Sequence, residues 1–125
     1  MAFAGIALIV AHAAAAPPSA LAQTGGGLWE VTGIPGTSRA IRRCVGDTRA
    51  LGQIEHRAQA CPRTVVTDSG TTAVVQYNCG RSGFGSSNVT VVTPRSLRIA
   101  TQGISGGLPF NYVVQVRRVG DCRPH

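Results

Sequence analysis

Lysine is absent from this chain, and acidic and aromatic residues are scarce. Twelve arginines against five acidic residues give a net charge of +7, which favours anionic partners such as nucleic acid or lipid head groups. The chain has only one tryptophan, two tyrosines and three phenylalanines, whereas proteins that bind single-stranded nucleic acid stack bases on aromatic platforms. We therefore do not expect specific nucleic-acid binding.

Motifs of common catalytic and metal sites are also missing. The sequence contains no CxxC pair and no HExxH motif. The glycine series Gly80-x-x-Gly83-x-Gly85 precedes a predicted strand, whereas phosphate loops precede a helix. His56 falls in a predicted helical segment, where we expect it at the surface. We expect no catalytic site, no metal and no cofactor, and we predict a binding protein rather than an enzyme.

Long apolar runs are missing beyond the N-terminus. The run at residues 3–16 is shorter than the ~20 apolar residues of a membrane span. Ala20-Leu21-Ala22 then provides a small-x-small cleavage site, so residues 1–22 are typical of a secretory signal peptide with a mature start at Gln23. Because the region before the run lacks Lys and Arg, a membrane anchor is the alternative. We predict a periplasmic or secreted protein whose mature chain has no transmembrane segment.

The remaining sequence, residues 23–125, consists of short β-branched runs separated by turns. The clearest pair is Arg63–Thr67 and Thr71–Tyr77, with Asp68-Ser69-Gly70 between them as a hairpin turn. In all we count about seven strands, which predicts a mainly β domain built as an antiparallel meander. So many strands curl into a curved sheet, a half-barrel or a barrel. Asp47 is a good N-cap, so we also predict one short helix near 47–58.

The four cysteines predict two disulfides, because exported thiols are oxidised. In a meander, Cys61 and Cys79 lie at the same end of neighbouring strands, and Cys122 lies at the opposite end of the sheet. This arrangement favours Cys61–Cys79 together with Cys44–Cys122, in a single disulfide-stapled domain. The alternative, Cys44–Cys61 with Cys79–Cys122, remains open if the strand order is not a simple meander.

Two features are candidates for a binding site. The doublets Arg42-Arg43 and Arg117-Arg118 would come together through a Cys44–Cys122 bridge and form a candidate anion patch, referred to below as the arginine patch. Their alternative role is to keep strand edges from pairing with other chains. Trp29, the single tryptophan, lies on the strand face opposite to Glu30, where it is either a core anchor or an aromatic for a ligand.

The segments Gly27-Leu28-Trp29-Glu30-Val31-Thr32 and Arg117-Arg118-Val119-Gly120-Asp121-Cys122, with the four cysteines, resemble a family of small exported bacterial proteins classed as a domain of unknown function. The resemblance covers the mature chain and implies a cell-envelope location without an assigned activity. We expect a basic envelope protein that binds a small apolar ligand inside the curved sheet, or an anionic envelope component. The alternatives are a structural or protein-interaction module of the envelope and, third, an uncharacterised enzyme.

Overall fold

The computed structural model describes residues 4–6 and 19–123, and within them seven antiparallel strands form one sheet. This architecture confirms the predicted mainly β fold. The strands are β1 (Gly27–Thr32), β2 (Ile41–Val45), β3 (Arg63–Ser69), β4 (Thr72–Asn78), β5 (Gly83–Thr93), β6 (Ser96–Ser105) and β7 (Leu108–Gly120).

The strand order is β2-β1-β7-β6-β5-β4-β3, so the sheet is open and not a closed barrel. Strands β3 to β7 follow one another as a meander, and the start of the domain then joins its end through the pairing of β1 with β7. Two hairpin turns contain a glycine because the backbone there adopts a positive φ. Gly70 turns β3 into β4 with φ 65°, and Gly106 turns β6 into β7 with φ 57°, in the left-handed region that favours glycine.

The core lies on one face of the sheet only. Burial alternates along the strands, as in β5, where every second residue is buried. The buried face carries Trp29, Val31, Val75, Val89, Leu97, Ile99, Val114 and Val116, and the connection between β2 and β3 covers it with Leu51 and Ile54. The other face of the sheet carries no second layer in the described part of the chain.

The predicted helix near 47–58 is shorter than expected. It is a 3₁₀ helix over Thr48–Gln53, and Asp47 caps it by accepting a hydrogen bond from the Arg49 N–H, as expected. Gly52 packs so closely on Val75 that a Cβ there would lie 2.8 Å from the valine Cβ. The carbonyl of Gly52 accepts a hydrogen bond from the Ser87 hydroxyl at 2.6 Å. Contact with the sheet therefore determines the conformation of this segment more than helix propensity does.

Two disulfides staple the sheet, and they have the pairing that strand direction favours. Cys44 bonds to Cys122 with 5.5 Å between the Cα atoms, and Cys61 bonds to Cys79 with 5.0 Å. The first bridge joins β2 to the residues after β7 and so spans β1. The second closes the open end of the β3–β4 hairpin. The alternative pairing is therefore not the one in the structure.

The predicted signal peptide, residues 1–22, lies mostly outside the described residues, since only 4–6 and 19–22 of it are described. The last four of these residues contact the sheet domain, as detailed below. In the described part of the chain, no helix is long and apolar enough to cross a membrane.

The two bridges should contribute unequally to stability. The Cys44–Cys122 bridge closes a separation of 78 residues and the Cys61–Cys79 bridge one of 18. From loop-closure entropy, we expect the C44S/C122S variant to lose about 4 kcal/mol of unfolding free energy and C61S/C79S about 3 kcal/mol. Denaturant unfolding of the two double variants measures which of them loses more unfolding free energy. Equal losses, or a larger loss in C61S/C79S, would contradict this ranking.

Candidate ligand-binding groove

An open groove of about 860 Å³ lies across strands β4 to β7 at the end of the sheet nearest the β6–β7 turn. Its lining comes mainly from the face of the sheet that the core does not use. Register explains how residues far apart in sequence meet there. Phe84 pairs with Ile104, and Ile104 pairs with Pro109, so three apolar side chains form a row across three strands. We call these three residues the apolar row.

A second row, two residues further along each strand, is polar and uncharged. Gln76 pairs with Ser86, Ser86 with Gln102, and Gln102 with Asn111. Neighbouring strands lie ~4.8 Å apart, so these four side chains present amide and hydroxyl groups at regular intervals. All four are exposed or half-buried, which leaves their polar groups open to solvent or a ligand. We call them the amide row.

Two glycines form the sheet behind the groove. Gly85 pairs with Tyr77 and with Gly103, and Gly103 pairs with Phe110, so the two aromatic residues flank the glycines on the core face. A Cβ on Gly85 would lie 2.5 Å from the Tyr77 hydroxyl, and one on Gly103 would lie 3.0 Å from Phe110 Cε1. The two rings therefore occupy the space that side chains at these positions would need.

His56 fixes the orientation of Tyr77 from the core side. The histidine is buried, which corrects the expected surface position. Its Nε2 lies 2.9 Å from the Ser82 carbonyl oxygen, which can only accept, so Nε2 carries the proton. Its Nδ1, 2.8 Å from the Tyr77 hydroxyl, is then the acceptor for that hydroxyl. The imidazole also lies near Phe110, with 6.0 Å between the ring centroids.

Both tyrosines are held in the neutral form by their surroundings. Burial, helped by the nearby Glu55 charge, raises the pKa of Tyr77 to about 12. Burial also raises the pKa of Tyr112, whose hydroxyl donates to the Glu55 carboxylate at 2.9 Å. Neither phenol is placed as a base near neutral pH. Instead, the two tyrosine hydroxyls form hydrogen bonds with His56 and Glu55, which hold the segment after the 3₁₀ helix against β4 and β7.

The two doublets of the arginine patch lie near each other, but their side chains are divided between the two faces of the sheet. Arg42 and Arg117 lie on the exposed face on either side of Glu30, at 3.2 and 3.6 Å from its carboxylate oxygens. Arg43 and Arg118 lie opposite Trp29 in the register, on the other face. The doublets thus come near one another across β1, as expected, with one arginine of each doublet on each face.

The arginines on the inner face also have hydrogen-bond or ion-pair partners within the protein. Arg43 donates to the Arg57 carbonyl oxygen at 2.8 Å, and Arg118 donates to the Gly26 carbonyl oxygen at 3.0 Å and to Asp121. Exposed ion pairs such as these contribute little stability. Each of the four guanidinium groups nevertheless has a partner within the protein.

Trp29 takes the core role of the two that the sequence allows. Its side chain is fully buried, and its indole N–H donates to the Gly25 carbonyl oxygen at 3.1 Å. The aromatic residues that line the groove are Phe84, Tyr77 and Phe110 instead. No signal in the sequence groups these residues, because they come from different strands and meet only through register.

Among residues 4–6 and 19–123, no group of three or more His, Cys, Asp or Glu side chains could hold a metal ion. Comparison with known proteins adds no further indication: no family model, no curated protein and no solved structure matches the chain.

The tyrosine environments give a testable titration. Because the folded protein raises the pKa of Tyr77 from 10 to about 12, folding favours the neutral phenol. This contribution to stability is complete below pH 10 and is lost as the pH rises towards 12. We expect tyrosinate absorbance of the folded protein to rise only above pH 11, and that of unfolded protein near pH 10. The Y112F variant isolates the Tyr77 step. A step near pH 10 in folded Y112F would contradict the buried placement of Tyr77.

Proposed function

We propose that this protein is an exported, non-catalytic binding protein that holds a neutral small ligand in the groove across β4 to β7. The observation that carries this proposal is the chemistry of the lining. The chain has a net charge of +7, yet no Asp, Glu, Arg or His among the described residues lines the groove. Such a surface offers a charged ligand no counter-ion, so a neutral ligand fits best.

The two rows define the kind of neutral ligand. Phe84 is 53% exposed although it is a large apolar side chain, and with Ile104 and Pro109 it offers an apolar surface to a ligand body. The amide row beside it supplies donors and acceptors. Small-molecule sites commonly combine an apolar wall with a few orienting polar groups. The ligand is therefore a compact molecule with one apolar side and neutral hydrogen-bonding groups on the other.

The sequence led us to expect a small apolar ligand inside the curved sheet, and we propose the groove as its site instead. A site inside the curve of the sheet would need space among Trp29, Val31, Leu97 and their neighbours. These side chains are buried against one another and fill the interior. The exposed face has the space, so the small-ligand proposal moves to that face.

The groove is a better candidate than the arginine patch. An anionic envelope component would have to compete with Glu30 for Arg42 and Arg117, and it would reach only two of the four arginines from one face. An envelope interaction module and an uncharacterised enzyme are weaker alternatives, because neither accounts for an uncharged groove in a basic protein.

The location of the protein follows in part from its sulfur chemistry. Two disulfides are typical of an oxidising, extracytoplasmic environment. A periplasmic or secreted location, the cell envelope as the site of action, and membership of the exported family that the end motifs resemble are parts of this proposal.

A neutral fluorescent probe tests the groove. We expect N-phenyl-1-naphthylamine to bind the folded protein, and F84A to weaken that binding about tenfold, the loss of roughly 1.4 kcal/mol that removing one aromatic contact can cause. V92A is the matched control, because Val92 is 62% exposed at the other end of the same strand. Fluorescence titration measures both, and thermal unfolding checks that neither variant loses stability.

The salt dependence of probe binding distinguishes the groove from the arginine patch as the binding site. Binding of a neutral probe in an uncharged groove should hardly change with ionic strength, whereas binding through exposed arginines weakens as salt screens them. Absence of probe binding, equal loss in F84A and V92A, or a steep salt dependence would each overturn the proposed site.

A further inference from the structure

The residues just before the predicted mature start belong to the folded core. Ala20 is fully buried and Leu21 is 6% exposed, and both are part of the cluster that contains Trp29 and Ile54. A cut after Ala22 would remove both side chains from a packed interior. A cavity in their place would be costly, because packed cores collapse only partly around a deletion.

The same segment is fastened to the edge strand β3 by polar contacts. The Asp68 carboxylate accepts a hydrogen bond from the Ser19 hydroxyl and another from the Leu21 N–H at 3.1 Å. The Ser19 hydroxyl oxygen also accepts from the Ala22 N–H at 3.1 Å, within the short 3₁₀ turn Leu21–Gln23. A cut after Ala22 would remove both of these donors to Asp68.

The contacts continue on the far side of the predicted cut. The Gln23 side-chain amide donates to the Gly70 carbonyl oxygen at 2.8 Å, and the Thr24 hydroxyl lies 2.8 Å from that of Thr48. Residues 19–24 therefore run as one segment from the β3–β4 hairpin to the 3₁₀ helix Thr48–Gln53. The expected cleavage point lies in the middle of this segment.

We propose that the processing cut of the exported protein falls before Ser19, so that Ser19–Ala22 is kept as the first structural element of the mature domain. The inference rests on the predicted export but not on the groove or its ligand. Of the three residues that resemble a peptidase site, Ala20 and Leu21 are buried in the fold and Ala22 is exposed.

The first test reads the N-terminus directly. The full chain is exported, and intact mass with N-terminal sequencing identifies the first residue, which we expect at Ser19 or before it. The A22R variant provides the comparison: Ala22 is exposed, so arginine fits the fold, but it would block a peptidase that cuts after this residue. We expect A22R to begin at the same residue as the parent. A parent chain that begins at Gln23, or that is not cut, or an A22R chain that accumulates uncut, would overturn the proposal.

The second test uses stability. If Leu21 remains in the mature protein, L21A should lower the melting temperature of the exported protein by about 10 °C or more, the expected effect of a buried Leu→Ala change in a domain of this size. A22S, at the exposed neighbouring position, should leave the melting temperature unchanged. Identical melting temperatures for L21A and the parent would show that residue 21 is absent from the mature domain and would contradict the inference.

Discussion

The structure depends on the burial of one face of a single sheet by a short irregular connection. The segment between β2 and β3 contains the short 3₁₀ helix Thr48–Gln53, and it places Leu51, Ile54 and His56 on the inner face of the sheet. Its polar groups find partners on the strands, as the Gly52 carbonyl does with Ser87. Because a buried backbone carbonyl without a partner is costly, these contacts determine where the segment can lie.

One-sided burial also determines which face of the sheet is open to the proposed ligand. The core side chains are buried against one another, whereas side chains of the other face are exposed. On that face the antiparallel register gathers residues of like character into rows, an apolar one through Phe84 and an uncharged polar one through Gln102. Three charged residues of the same face, Arg42, Glu30 and Arg117, lie on β2, β1 and β7 and pair with one another. The groove and this charged cluster therefore occupy different parts of the face.

The sequence predicted the features that depend on local patterns. Alternation in β1 correctly put Trp29 on the face opposite to Glu30, and the glycine at Gly70 correctly marked a hairpin turn. Strand direction alone was enough to favour the Cys44–Cys122 pairing that the structure contains. These features could be predicted because each follows from a period of two, a positive φ or the direction of neighbouring strands.

The features that the sequence did not predict depend on contacts between distant segments. His56 was expected at the surface because a short segment without clear periodicity does not show which side faces the sheet. The groove needs the register of four strands at once, so Gln76, Phe84 and Asn111 carry no joint signal in sequence. Leu21 belongs to the predicted cleavage motif Ala20-Leu21-Ala22, and nothing in that motif indicates that its side chain packs with the core.

The central claim is the proposal that a neutral ligand binds on the exposed face of the sheet, between the apolar row and the amide row. Amide chemical shifts measured while a neutral apolar probe is added test it most directly. We predict that the shifts change around Phe84, Gln102 and Asn111 and stay constant around Trp29 and the arginine doublets. Changes centred on Arg42 and Arg117, or spread evenly through the core, would contradict it.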